Sequence, residues 1–306
     1  MPTVWINGEF RDDATANISI RDGGFLHGAG VFTTMRSDNG RVFAMDRHLR
    51  RLRESCLALL IPLPMSDEAM GRAAEELLKR DGLSEARLRL TVTTGITRQD
   101  PIHGVIVTPT VLLTAAPLEA YPDELYQGGM TVMLIDEQKL NPYDALAGHK
   151  TLNYLPRLLA LRDANQRRAN EGLWFNVHNY LQSGCVSNVF IVKDRQLCTP
   201  PTNNDLRDAE LAAACPYSRA SCLPGIMRSM VIEQAQAAGI SVKIAAINVD
   251  ELLAADEVFL TNSIMRVMPV CRIERKTIGE DRPGKTTAQL AAAVQRLVNE
   301  RTVNEP

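Results

Sequence analysis

The 306-residue sequence has no CxxC pair among its six cysteines, no membrane-length apolar run, no internal repeat, no low-complexity tract and no surplus of charge of either sign. Each absence narrows the field. Cys56, Cys185, Cys198, Cys215, Cys222 and Cys271 lack metal-ligand spacing, so no metal site is expected, and reduced, mostly buried thiols in a cytoplasmic protein are the simplest account. Lysine and arginine total 34 against 36 aspartates and glutamates, a net charge of −2, which leaves no global field to attract nucleic acid or an anionic membrane. A spanning helix needs roughly 20 consecutive apolar residues, and the sequence offers none. The opening Met1-Pro2-Thr3-Val4-Trp5-Ile6-Asn7 lacks a basic segment followed by an apolar core and a cleavage site, so no secretory signal is expected. Small molecules are the partners to look for.

What is present suits an ordinary globular protein of about two domains: 45% of the residues are apolar, ample for buried cores. Thr3 to Glu9 and Ala16 to Ile20 read as strands, with Asn7-Gly8 as a tight turn. Asp46 is placed to cap a helix from Arg47 to about Leu60, and Ser66 to cap one running to about Arg80. Arg87 to Thr94 and Val105 to Ala115 read as strands. Two prolines and no clear period over 116–123 suit a crossing between domains, which puts a first domain at 1–116, a linker at 117–123 and a second domain at 124–306. In the second, Met130 to Ile135, Gly172 to Val177, Val186 to Val192, Ser241 to Ala245 and Glu257 to Thr261 read as strands. Helices are expected over Leu152 to Asn170, Gly225 to Ala238 and Thr286 to Glu300. Strands mixed with scattered helices indicate α+β or α/β.

The chemistry gathers around Gly148-His149-Lys150-Thr151-Leu152-Asn153-Tyr154, where one lysine sits in a short polar turn ahead of a long apolar periodic segment. A primary amine on a fixed turn can condense with an aldehyde. Taken alone, the segment equally describes a solvated lysine before a helix. Its company is more specific: Phe25-Leu26-His27-Gly28-Ala29-Gly30-Val31-Phe32 and His48-Leu49-Arg50-Arg51-Leu52 before it, then Ser187-Asn188-Val189-Phe190, Leu223-Pro224-Gly225-Ile226 and Thr261-Asn262-Ser263 after it. In this order, over nearly the whole chain, the set resembles the class IV aminotransferases, the fold-type IV pyridoxal phosphate enzymes.

The resemblance implies a small amino-terminal α+β domain, a larger barrel-like second domain, a homodimer, and amino acids and 2-oxo acids as substrates, branched-chain ones by default. It implies pyridoxal phosphate held covalently by Lys150, which also moves the substrate proton. Arg51 aligns with the arginine ending the family's HxxRL pattern and would grip the phosphate. Gly225, Ile226 and Met227 would offer helix-start amides, and Asn262 and Ser263 a second contact. Met227 stands where relatives usually have threonine, so one hydroxyl donor is lost. Ser183, aligned by Gly184 and Ser187-Asn188, occupies the place of the glutamate that bonds the ring nitrogen, and a serine hydroxyl cannot impose a positive ring. A slip of one residue would put Gln182 there instead, turned to the other strand face. Ala29, Thr33 and Thr94 also depart from the common pattern. His27, Phe32 and Tyr154 align with pocket residues, though core packing serves equally for Phe32 and Tyr154. Arg98 and Arg266 could receive a carboxylate or sit in exposed ion pairs, and His149 and His178 could act on protonation or be structural. Two other readings stay open: a carbon–carbon lyase resembling 4-amino-4-deoxychorismate lyase, and a homologue without catalysis that acts through a partner.

Overall fold

In a computed structural model of the chain, which describes residues 2–100 and 104–303, the residues divide into two compact units. The first contains the chain up to Glu119, the segment His149–Asn153 and the end of the last helix from Val298; the second contains Ala120–Gly148 and Tyr154–Leu297. A single linear boundary at 117–123 thus does not account for His149–Asn153, the segment that carries Lys150.

In the first unit, β1 (Thr3–Ile6) and β2 (Glu9–Asp12) form the expected hairpin, with both turn residues at positive φ: Asn7 at 49° and Gly8 at 97°. There follow α1 (Gly23–His27), β3 (Gly30–Asp38), β4 (Arg41–Val42), α2 (Met45–Ala58), α3 (Asp67–Arg80), β5 (Ala86–Asp100) and β6 (Gly104–Pro117). The strands make an antiparallel sheet in the order β2-β1-β6-β5-β3-β4. Leu49, Leu52 and Cys56 of α2 and Met70, Ala74 and Leu77 of α3 recur at helical spacing, and both stripes bury against the sheet.

Two local expectations fail here. Asp46 does not cap α2: the cap position is Ala44, with φ at 54°, and Asp46 lies inside the first turn, where it pairs with Arg50 at 3.3 Å. Ala16 to Ile20 is not a strand. The Asp12 carboxylate accepts from the Ala14 amide at 2.9 Å and the Asp12 carbonyl from the Ala16 amide at 2.9 Å, so the chain turns off the sheet and leaves Ile18 and Ile20 exposed.

In the second unit, α4 (Asp123–Gly128) precedes β7 (Met130–Leu140), α5 (Leu155–Gln166), β8 (Glu171–Asn176), β9 (Leu181–Gly184), β10 (Asn188–Lys193) and β11 (Gln196–Thr199). After a 3₁₀ turn at Asp205–Arg207 come α6 (Ala209–Ala214), α7 (Ile226–Ala237), β12 (Val242–Ile244), α8 (Val249–Leu253), β13 (Glu257–Asn262), β14 (Arg266–Ile273), β15 (Lys276–Thr277) and α9 (Lys285–Val303). The sheet runs β12-β11-β10-β13-β14-β7-β8-β9, with β15 on β14, and curls into a half-barrel. β7 and β8 are parallel, which a tight turn cannot achieve; the connection containing α5 makes the required crossover. Val132, Leu173, Leu181, Val189, Leu260 and Met268 are buried in the main core of this unit. The architecture is mixed α+β, as the sequence implied. Among the described residues no helix is long and apolar enough to cross a membrane, and no cluster of side chains suits a metal ion.

At the start of α3 the Ser66 hydroxyl accepts from the Ala69 amide at 3.2 Å, as its position ahead of the helix predicts. Removing that acceptor leaves a helix-start donor without its partner, so Ser66→Ala should lower unfolding free energy by about 1 kcal/mol. Urea denaturation checks this, and an unchanged midpoint would remove the cap from the account.

Candidate active site

Lys150 is positioned through its backbone. The amide of Phe32 donates to the Lys150 carbonyl at 2.9 Å, the amide of Leu152 donates to the Gly30 carbonyl at 2.9 Å, and Val31 pairs with Thr151 in an antiparallel bridge. The lysine segment therefore extends the ladder of β3. Gly30 is needed for this close approach, because a Cβ there would meet the Val92 carbonyl and the Leu152 side chain. The Lys150 ammonium then lies 4.8 Å from the centre of the Phe32 ring, and the Arg89 guanidinium lies 3.7 Å from it. Phe32 is thus both core and site: its ring is buried yet holds the amine by its negative face.

Beside it Thr33 organises two of the residues in the HxxRL pattern. Arg51 Nη2 donates to Thr33 Oγ1 at 3.1 Å, and that hydroxyl lies 2.7 Å from His48 Nδ1. The arginine takes one lone pair of the threonine oxygen, and the hydroxyl shares its remaining hydrogen-bonding capacity with Nδ1. Burial, then the positive charges of Arg51 and Lys150, hold the His48 pKa well below its usual value, so the ring is neutral. His149 bonds elsewhere, with Nδ1 2.9 Å from Ser55 Oγ on α2, and burial lowers its pKa also. His27 is exposed at the end of α1, and Arg98 is exposed on β5. The structure brings Lys150, Phe32, Arg51, Thr33 and His48 together and shows neither His27 nor Arg98 bonded to them.

In the second unit the G-x-x-S-N stretch folds around a carboxylate that lies outside the motif. Glu171, fully buried at the start of β8, accepts from the Cys185 amide at 2.8 Å, the Ser187 hydroxyl at 3.1 Å, the Gly172 amide at 3.3 Å and the Val186 amide at 3.4 Å. Burial raises its pKa, and those four donors pull it back. Gly184 has no room for a Cβ, which would strike Ser187 Oγ. Ser183 precedes this loop, on β9 opposite Trp174, and is 4% exposed. Gln182 points to the other face, where Oε1 accepts from the Ser221 amide and hydroxyl at 3.1 and 2.9 Å and Nε2 donates to Tyr217 Oη at 3.0 Å. Tyr154, just before α5, donates its hydroxyl to the Cys185 carbonyl at 3.4 Å.

The second unit also contains a helix start whose amides no side chain caps. The twelve-residue α7 starts after Gly225, and a Cβ on Gly225 would collide with Asn188 Oδ1. Asn188 is in turn tied by Nδ2 to the Leu223 carbonyl at 2.9 Å. Ile226 and Met227 are buried. Asn262 spends its side chain on its own turn: Oδ1 accepts from the Ile264 and Met265 amides at 2.9 and 2.8 Å, and Nδ2 donates to the Val186 carbonyl at 3.2 Å. Next to it, Thr261 Oγ1 is buried with no partner among the described residues. Uncapped amides, a glycine-only approach and an unsatisfied hydroxyl fit a phosphate group. Arg228, also missed from the sequence, is buried and holds the Pro200 carbonyl and Asp205 at 3.0 and 2.9 Å.

Comparison with known proteins agrees with this geometry. The family model for amino-transferase class IV matches residues 30–273. The chain belongs to the class IV aminotransferases. It is 31% identical over 94% of its length, and 93% of the relative, to a Methanocaldococcus jannaschii protein provisionally named a branched-chain-amino-acid aminotransferase. It is 27% identical to the aminodeoxychorismate lyase of Bacillus subtilis, covering 93% of this chain and 91% of that one. The crystal structure of the Escherichia coli branched-chain amino acid aminotransferase superposes with a TM-score of 0.86 at 26% identity, over 99% of this chain and 96% of that one.

Two predictions follow from the buried groups. His48 has a depressed folded pKa, so between that value and its ordinary 6.5 the unfolded chain binds the extra proton. Stability should therefore fall as pH drops below about 6.5, by up to ~1.4 kcal/mol per pH unit, and His48→Gln should flatten that dependence in urea titrations. Glu171→Gln turns an amide toward backbone donors and should cost about 1–3 kcal/mol, read as a lowered denaturation midpoint; no change would mean the carboxylate does not hold the loop.

Proposed function

We propose that this class IV aminotransferase family member is a pyridoxal phosphate-dependent enzyme that moves an amino group between an amino acid, of branched-chain type by default, and a 2-oxo acid. The observation that carries the proposal is Lys150 itself: its segment is clamped to β3 by backbone bonds and its amine sits over Phe32, next to the Arg51–Thr33–His48 group. Nothing in a purely structural role asks for a lysine there. Bound pyridoxal phosphate would supply an aldehyde to join the substrate amine and a pyridine ring to take up charge.

The chain's own groups have distinct tasks in this reading. Lys150 Nζ would hold the cofactor and would take the proton from the substrate α-carbon. Neutral His48, bonded through Thr33, keeps Arg51 oriented for the phosphate without adding charge that would compete with Lys150. The amides of Ile226 and Met227 after Gly225, with Ser263 beyond Asn262, are assigned to the phosphate. Met227 contributes only its amide, so phosphate is held more weakly than by a threonine. Ser183 faces the ring nitrogen in place of a carboxylate. His27, Phe32, Tyr154 and Arg98 are assigned to the substrate pocket. Exposed Ile20, Phe25 and Leu26 in the first unit suit burial against a second copy, and a cytoplasmic homodimer is the assembly proposed.

The lyase reading is kept because the Bacillus subtilis relative is named a lyase and because Ser183 offers the ring no carboxylate. The two are separated by one set of assays on purified protein loaded with pyridoxal phosphate. Borohydride should trap the cofactor on Lys150, and Lys150→Ala should abolish both the adduct and turnover, a loss of at least roughly 10³-fold given the nucleophile's role. Amino transfer from a branched-chain amino acid to a 2-oxo acid supports the transaminase. Pyruvate release from aminodeoxychorismate with no 2-oxo acid present supports the lyase. Failure to trap any adduct would overturn both.

A further inference from the structure

An arginine stands against the serine proposed for the ring nitrogen. Arg157, in the first turn of α5, reaches β9 with Nη1 2.9 Å from the Gly184 carbonyl, 3.2 Å from the Cys185 carbonyl and 3.3 Å from Ser183 Oγ. Its guanidinium carbon lies 5.9 Å from the Trp174 ring, and Trp174 is the residue paired with Ser183 across β8 and β9. Trp174 is fixed in turn, donating Nε1–H to Cys185 Sγ at 3.2 Å. Three oxygens and an aromatic face therefore hold the guanidinium in one place.

The direction of the Ser183 bond is not optional. Guanidinium has only donors, so the serine oxygen must accept from Arg157. The serine proton is then left over, and among the described residues nothing accepts it, although the side chain is buried at 4% exposure. A buried hydroxyl with one lone pair engaged by a cation and no protein acceptor for its proton is disposed to donate to something that binds.

We infer that Arg157 acts through Ser183 as a positioning residue: it biases the hydroxyl at position 183 toward donating and, with its fixed charge, keeps the pyridine nitrogen of the bound cofactor unprotonated. A protonated ring nitrogen would have to use the second Ser183 lone pair and leave the buried serine proton without an acceptor, and the fixed guanidinium charge disfavours a second positive charge nearby. A carboxylate at this position would select the opposite state. The arrangement amounts to a pyridine clamp made of Arg157, Trp174 and Ser183, and it rests on the proposal that the chain binds pyridoxal phosphate with Ser183 at the ring nitrogen. Its consequence is that the ring takes up less charge from the substrate α-carbon, which restrains amino transfer and favours chemistry needing less delocalisation.

The test is nitrogen-15 NMR of the holoprotein carrying pyridoxal phosphate labelled at the ring nitrogen, recorded from about pH 6 to about pH 9, a span that brackets neutral titrations. The wild-type resonance should stay at the unprotonated pyridine position throughout. Ser183→Glu should move it to the pyridinium position, Arg157→Gln should make it titrate within the range, and Arg157→Lys, which restores a cationic donor, should return it toward the wild-type position. A pyridinium signal in the wild type overturns the inference, as does an Arg157→Gln resonance that matches wild type at every pH. Borohydride trapping on the same samples keeps the two levels apart: an adduct on Lys150 with a protonated ring refutes only the clamp, whereas no bound cofactor refutes the function with it. Should Arg157→Gln fail to fold, the wild-type and Arg157→Lys spectra still decide the matter.

Discussion

The backbone pairing between β3 and the Lys150 segment is the constraint on which the rest of the site depends. A lysine side chain has four rotatable bonds and costs up to about 2 kcal/mol of rotamer entropy to order. A loop lysine would carry that cost and backbone freedom besides. Here the bonds from Phe32 to Lys150 and from Leu152 to Gly30 make the carrier segment part of a sheet, and the Phe32 ring attracts the amine at the other end. Gly30 is indispensable to the approach, since any side chain there meets Val92 and Leu152. The dipeptide Phe32-Thr33 then contacts both groups, with the ring beside the amine and the hydroxyl bonded to Arg51 and His48.

A second device appears in the other unit, where Glu171 organises the turn that presents Ser183 and Ser187. One buried carboxylate collects donors from Gly172, Cys185, Val186 and Ser187, which fixes the loop more tightly than its own short sequence would. The motif therefore lacks a carboxylate at the place proposed for the ring nitrogen and contains one a few residues away in the fold, fully engaged by the backbone. Charge near Ser183 comes instead from Arg157. The polarity of the surroundings is reversed, from an acceptor to a donor.

Much of the fold was legible wherever a period or a cap was strong. Asn7-Gly8 demanded its hairpin, Ser66 announced α3, and the alternation in Arg87 to Thr94 marked the centre of β5. β3 went unread because it is buried along almost its whole length, so the alternation that signals a half-buried strand is absent. β14 was hidden by Pro269, which argues against an interior strand yet sits paired with Phe259. Ala16 to Ile20 had strand composition but no neighbour to pair with, and composition alone does not make a sheet. His48 lay inside the HxxRL pattern and Thr33 just after Phe32, and only their mutual bond joins them.

By itself the sequence determined the family, the places of the motif lysine and the HxxRL arginine and the absence of a carboxylate at position 183, because these are matters of residue type and order along the chain. Which groups face one another was decided only by tertiary structure: Lys150 on β3, His48 within reach of the Arg51 and Lys150 charges, Glu171 bonded to its loop, and Arg157 on the Ser183 oxygen. The reason is physical. A hydrogen bond between residues 26 positions apart, like the one joining Arg157 to Ser183, has no signature in local periodicity; it exists only once a crossover has brought a helix start over a strand.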